Sequence, residues 1–165
     1  MADGTSYSAG RLGLAIKRLQ VRHHRALEAR LAPLGLTVAQ WDALRHLHLH
    51  PDASLHELAV LTFQTDQSMG TLATRMVARD LVERVDGPGR AVRHRITATG
   101  ERLRAEAQRE ADRVLGESFR VLDDAGRDRL GDLLAAILGP DMPSATAASA
   151  ASTSAPASTP APAPR

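Results

Sequence analysis

Between Asp66 and Arg79 the chain reads DQSMGTLATRMVAR. At about 100° per residue, Met69, Leu72, Ala73 and Met76 share one side of a helix. Gln67, Ser68, Thr71, Thr74 and Arg75 share the other, which is uncharged apart from Arg75. A solvated helix in a chain with 24% charged residues is expected to carry acids and bases together on such a face. Short hydrogen-bonding side chains without a carboxylate suit a different task. They can read base edges and hold phosphates, which an acid would repel. Taken alone, the helix also fits a plain polar surface.

The stretch that follows adds positive charge. From Arg84 to Arg95 there are four arginines (Arg84, Arg90, Arg93 and Arg95) and one acid, Asp86. GPGR, residues 87–90, reads as a tight turn with Arg90 at its tip, and an arginine there can enter a narrow minor groove or fork onto a phosphate. In the returning strand, period 2 puts Val92, His94 and Ile96 on the inward face and Arg93 and Arg95 on the outward face. His94 reads as packed or hydrogen-bonded rather than functional. His46, His48 and His50 invite a metal reading, since His46 and His50 share a helix face. No cysteine or neighbouring carboxylate completes a tetrahedral set, although His56 could approach in space, so no metal is assigned. A solvated, partly charged helix end before Pro51 is the simpler reading.

These residues need a frame, and the apolar periodicity supplies one. Leu12, Ile16, Leu19, His23, Leu27 and Leu31 recur at three and four, the pattern of an amphipathic helix that Gly35 closes. Thr37-Val38-Ala39-Gln40 has the form of a capping box opening a helix through Trp41, Leu44 and Leu47 to Pro51. Ser54-Leu55-His56-Glu57 is a second capping box, opening a short helix through Leu58 and Leu61. Phe63-Gln64-Thr65 interrupts the pattern, and Asp66 is expected to cap a fourth helix reaching about Arg79. The period then changes to 2. Leu81–Val85 and Ala91–Ile96 read as strands around a turn at Asp86–Gly89. A long helix follows Thr97-Ala98-Thr99-Gly100, carrying Leu103, Ala107, Ala111, Val114 or Leu115, and Phe119. A last helix starts at Asp123-Asp124, with Leu130, Leu133, Leu134 and Ile137 on one side, and Gly139-Pro140 ends it.

The order α-α-α-α-β-β-α-α predicts a mainly α fold with a small β-hairpin: a winged helix-turn-helix flanked by long N- and C-terminal helices. The flanking helices are too apolar along one stripe to stand alone in water. They are expected to form a two-fold dimer, or else to fold back on the core. Residues 1–7 read as a flexible N-terminus, 8–140 as the folded domain and 141–165, rich in Ala, Ser, Thr and Pro, as a disordered tail. Within the domain, 37–98 form the winged-helix lobe, and about 8–34 and 98–139 the flanking helices.

The totals for the 165 residues narrow the class further. Aromatics are confined to Tyr7, Trp41, Phe63 and Phe119, so Leu, Ala and Val must build the core. The formal net charge is +2, yet nearly all cations are arginines, Lys17 being the single lysine. That bias also fits a GC-rich genome. The absence of cysteine excludes disulfides, thiolate metal sites and thiol redox sensing. No apolar run of about 18 residues and no secretory signal pattern is present, so the expected location is cytoplasmic. No nucleophile–base pairing, phosphate loop or metal motif suggests an enzyme.

The segment QTDQSMGTLATRMVARDLVERVDGPGRAVRHRITATG resembles the helix-turn-helix and wing of the MarR family of bacterial transcriptional regulators, and LGLTVAQWDALRHL is similar to the second helix of that family. The hallmarks are the helix with Arg75, the LVER that opens the first strand, and the RAVRHRIT leading to a Thr-x-x-Gly helix start. The resemblance spans roughly residues 8–140. It implies a homodimer that binds a pseudo-palindromic operator in double-stranded DNA, usually as a repressor, with no cofactor. By position it implies base or phosphate contacts for Gln67, Ser68, Thr71 and Arg75, and backbone contacts for Gln64 and Thr65 at the turn. Arg90 matches the family's wing arginine, and Arg93, which follows it in the wing, is expected to contact DNA as well. Where the wing usually carries an Asp two residues before that arginine, this chain has Pro88. Members of the family are often relieved by small aromatic or phenolic acids, which would make His23 and Trp41 candidates for lining an effector pocket; a core tryptophan and a satisfied core histidine are the alternative. The rival functional reading is a winged helix used only for protein interaction or dimerisation.

Overall fold

The computed structural model describes residues 7–86 and 92–142. The wing turn with Arg90, the first six residues and the tail from 143 lie outside the described residues. Six helices and one hairpin follow the expected order: α1 Ala9–Leu31, α2 Val38–Leu49, α3 Leu55–Leu61, α4 Asp66–Ala78, β1 Val82–Asp86, β2 Val92–Ile96, α5 Ala98–Phe119 and α6 Asp124–Leu138. The strands pair antiparallel with Val82 opposite Ile96 and Arg84 opposite His94.

Local chemistry sets most boundaries. In α2 the Thr37 hydroxyl accepts from the Gln40 N–H, and the Gln40 carboxamide accepts from the Thr37 N–H, each at 3.2 Å. Ser54 and Glu57 make the same reciprocal pair at α3. Both satisfy helix donors that would otherwise be orphaned. The first helix ends at Leu31, the last residue of its apolar pattern and three short of the expected bound at 34, because Pro33 shapes a 3-10 turn over Ala32–Leu34 before Gly35 (φ 68) reverses the chain.

One correction concerns α4. Its N-cap is Thr65 and not Asp66: Thr65 is extended (φ −79, ψ 154) and its hydroxyl accepts from the Ser68 N–H at 3.2 Å. Asp66 becomes the first helical residue, where a carboxylate still favours the positive end of the helix.

Residues up to Leu122 form one compact unit. Its core joins Leu27 and Leu31 of α1, Trp41, Leu44 and Leu47 of α2, Leu58 of α3, Met69 and Met76 of α4, Leu81 and Val82 at the hairpin, and Ala107 and Ala111 of α5. Burying each large aliphatic side chain stabilises by about 1.5–3 kcal/mol. Between the two candidates for the next turn of α5, Val114 packs against this core. The start of α5 is seated on the hairpin: Thr97 Oγ1 donates to the Asp80 carbonyl at 2.6 Å, and a Cβ at Gly100 would collide with the Leu81 carbonyl oxygen. Arg104, only 3% exposed, is matched by Glu101 at 2.6 Å. Burial alone would raise the Glu101 carboxyl, but the hydrogen bonds and charge of Arg104, with a smaller share from His48, hold it below its ordinary range.

The unit from Asp123 contains α6, capped by the Asp123 carboxylate on the Gly126 N–H at 2.8 Å. Leu133, Ile137 and Leu138 of this helix are exposed.

Candidate nucleic-acid interface

The interface is built from the α3–α4 turn outward. Met69, Ala73 and Met76 are buried and Leu72 packs against the core, which fixes the rotation of α4 about its axis. Gln67, Ser68, Thr71, Thr74 and Arg75 consequently lie exposed on the other side. Thr71 Oγ1 donates to the Gln67 carbonyl and Thr74 Oγ1 to the Gly70 carbonyl, both at 3.0 Å. With their single hydroxyl protons used, both threonines present oxygen lone pairs and a methyl group outward. Such a surface can accept from base amino groups and pack on thymine methyls. Ser68 receives the Thr65 hydroxyl proton at 2.9 Å, leaving its own proton to donate. Arg75 makes no ion pair or hydrogen bond among the described residues.

The one carboxylate at this end of α4, Asp66, is matched by His56 of α3, whose Nδ1 lies 3.0 and 3.1 Å from its two oxygens. His56 is therefore engaged across the helix-turn-helix. Gln64 is half-buried and turns back to donate to Thr62 Oγ1 at 3.3 Å. Thr65 is exposed and spends its oxygen on the cap.

On the hairpin, His94 is buried and unpaired at Nδ1 among the described residues. Burial, and secondarily the Arg84 charge, hold its pKa below the ordinary value. Inward-facing Val92 is nonetheless partly exposed at the hairpin's outer end. Arg93 departs from its expected outward placement. It is half-buried, bridged through its backbone to Ser54, and its guanidinium donates to the Asp52 carbonyl. Arg93 thus braces the outer end of the hairpin against the loop before α3. Arg95 is outward and lies 3.5 Å from Glu83, its partner across the ladder. Arg84, which the strand reading counted but did not select, is exposed. With Thr74 it lines a groove of about 320 Å³ between α4 and the hairpin. The signal for both residues was present in the helix wheel and the arginine count; what was missing was the distance between the two elements.

The other chemical candidates fall away from this face. The His46 ring stacks on His50 with centroids 6.4 Å apart, and its pKa is lowered by burial and by the Arg45 charge against the pull of Asp42. That corrects the solvated-end reading, since the His46 side chain is largely buried. His48 instead reaches Glu101 at 3.3 Å. Among the described residues no three His, Asp or Glu side chains gather as a metal site. His23 Nε2 meets Ser118 Oγ at 2.7 Å and its ring stands edge-on to Phe119; burial, then Arg22, lowers its pKa. It lines a cavity of about 410 Å³ with Ala26, Val114 and Val121. Trp41 is not in that lining. It is buried in the lobe core beneath the Arg45 guanidinium, so the two expected pocket residues serve different places.

Residues 34–91 match the sequence model of the MarR family. Solved MarR-type structures agree over the larger fold. A MarR-family transcriptional regulator from Rhodococcus sp. RHA1 superposes with a TM-score of 0.71 at 24% identity, covering 82% of this chain and 98% of that one. A mutant of E. coli MarR complexed with operator DNA gives 0.70 at 22%, covering 77% and 93%. The MarR-family protein Rv2887 of Mycobacterium tuberculosis, complexed with p-aminosalicylic acid, gives 0.65 at 25%, covering 76% and 97%. No curated protein matches the chain. Among the described residues no helix is long and apolar enough to cross a membrane.

Proposed function

We propose that this MarR-type chain is a sequence-specific DNA-binding transcriptional regulator that acts as a homodimer on a pseudo-palindromic operator. The observation that carries the reading is the exposed face of α4, where Gln67, Ser68, Thr71, Thr74 and Arg75 stand together without a carboxylate among them. The face is held rigidly because the opposite side is anchored by Met69, Ala73 and Met76. In a helix-turn-helix the second helix lies in the major groove, so this face would meet base edges while Arg75 reaches base or phosphate. Arg84 and Arg90 would extend the contact along the wing. Arg93, spent on Asp52, contributes by fixing the hairpin rather than by touching DNA. The operator complex of the E. coli relative supports the docking mode.

Dimerisation would use the apolar stripes of α1 and α6, each of which leaves large side chains exposed in the single chain. Repression, relieved by a small aromatic acid, is the regulatory form we favour. The p-aminosalicylic acid complex of Rv2887 supports it, and the His23 cavity offers a place of suitable size.

The test is affinity selection from a random duplex library at near-physiological salt. An inverted repeat with half-sites about one helical turn apart is expected. Recovery of no common sequence by a folded protein would sink the proposal and leave a protein-interaction module. On the recovered operator, Arg90→Ala should cost about 1–3 kcal/mol of affinity with the oligomeric state intact.

A further inference from the structure

Among the described residues, two that are not glycine adopt left-handed backbone: Asp80 (φ 55) and Phe63 (φ 54). Asp80 is accounted for. A short polar side chain tolerates this region, and its carboxylate accepts from Thr99 Oγ1 at 3.1 Å while its carbonyl accepts from Thr97 Oγ1 at 2.6 Å. Phe63 has no such account. It stands just past the Thr62 cap of α3, with its own N–H on the Val60 carbonyl at 3.2 Å and the Gln64 N–H on the Ala59 carbonyl at 2.8 Å. That is the two-bond helix ending in which glycine is the usual occupant. A bulky residue there is strained, and burial does not offset the strain, because Phe63 is 97% exposed. Folding of the single chain thus gains nothing from the ring.

Its position suggests what does gain. Phe63 lies on the turn between α3 and α4, two residues before the Thr65 cap and directly ahead of the exposed Gln67 and Ser68. In helix-turn-helix docking the first helix crosses the sugar–phosphate backbone and the second enters the groove, which puts the turn beside the strand at the groove edge. Deoxyribose carbons and thymine methyls are the apolar surfaces available there. We infer that Phe63 packs its ring on those apolar groups of the operator and so adds a non-ionic contact to the polar face of α4. The inference rests on the DNA-binding reading above.

The experiment uses the full chain, the selected duplex, and the variants Phe63→Gly and Phe63→Asn, both of which tolerate the left-handed backbone. Each variant should melt no lower than wild type, keep its oligomeric state, and bind the operator about tenfold more weakly, equivalent to ~1.4 kcal/mol. The salt dependence of binding should be unchanged, because no cation is lost. A second duplex with deoxyuridine in place of thymidine separates the two surfaces: weaker wild-type binding assigns the thymine methyl, unchanged binding the deoxyribose. Variants that bind within roughly twofold of wild type overturn the role of Phe63 while leaving the DNA reading intact. A loss accompanied by a shallower salt slope also overturns it, by exposing a disturbed ionic contact. Wild-type protein that selects no duplex overturns both.

Discussion

The lobe core and the first half of α1 draw on the same residue types at the same helical spacing, yet they end in opposite surroundings. Leu44 is 0% exposed, enclosed among residues of α1 to α5, whereas Ile16 is 54% exposed and Leu12 and Leu14 are similar. Within α1 itself the change comes between its halves, since Leu27 and Leu31 are buried. An apolar stripe therefore states that something must cover it, without stating what. The lobe supplies its own cover from one chain. The first half of α1 receives little, and the dimer proposed here would complete it.

The largest effect expected from this contrast is at Leu44. Leu44→Ala should cost about 2–5 kcal/mol of stability in denaturant unfolding, through lost burial and a residual cavity. A cost near that of a surface change would mean the lobe is not closed as described. Ile16→Glu should behave oppositely. Self-association, followed by sedimentation, should weaken by about tenfold or more (~1.4 kcal/mol), with the melting of the lobe nearly unchanged. Unchanged association would remove this stripe from the interface.

A gentler probe of the enclosed region is His94, 5% exposed, whose imidazole is held below its ordinary pKa of 6.5 by burial and by Arg84. Such a group binds its proton more readily when unfolded. Its contribution is therefore intact above about pH 6.5 and is lost as the pH falls through that value toward the folded one. Stability should decline between about pH 7.5 and 5.5, and His94→Leu should flatten the decline. The flattening is partial because His23 and His46 are shifted in the same direction. An identical slope in the variant would place the titrating groups elsewhere. Smallest of all should be Arg95→Gln. It breaks an ion pair with Glu83 in which both side chains are more than half exposed, so the change in stability should be about 0.5 kcal/mol or less. A larger loss would show that the hairpin's outer face is more constrained than its exposure implies.

What the sequence determined by itself is the work of near neighbours. The capping boxes at Thr37 and Ser54, the glycine reversal at Gly35, the switch from helical to alternating period after Asp80 and the polar face of α4 all depend on groups a few positions apart. Such groups meet whatever the rest of the chain does. Even the misplaced cap was an error of one residue, between two side chains that can both accept an N–H. The tertiary structure alone decided which stripes are covered and where long side chains spend their charge. Arg93 turned inward because the Asp52 carbonyl lies beside it, and Trp41 went to the lobe core rather than the His23 cavity. Desolvating a cation is costly unless an acceptor stands within reach, and for Arg93 that acceptor is 41 positions away. No local pattern encodes such a meeting; only the packed chain brings it about.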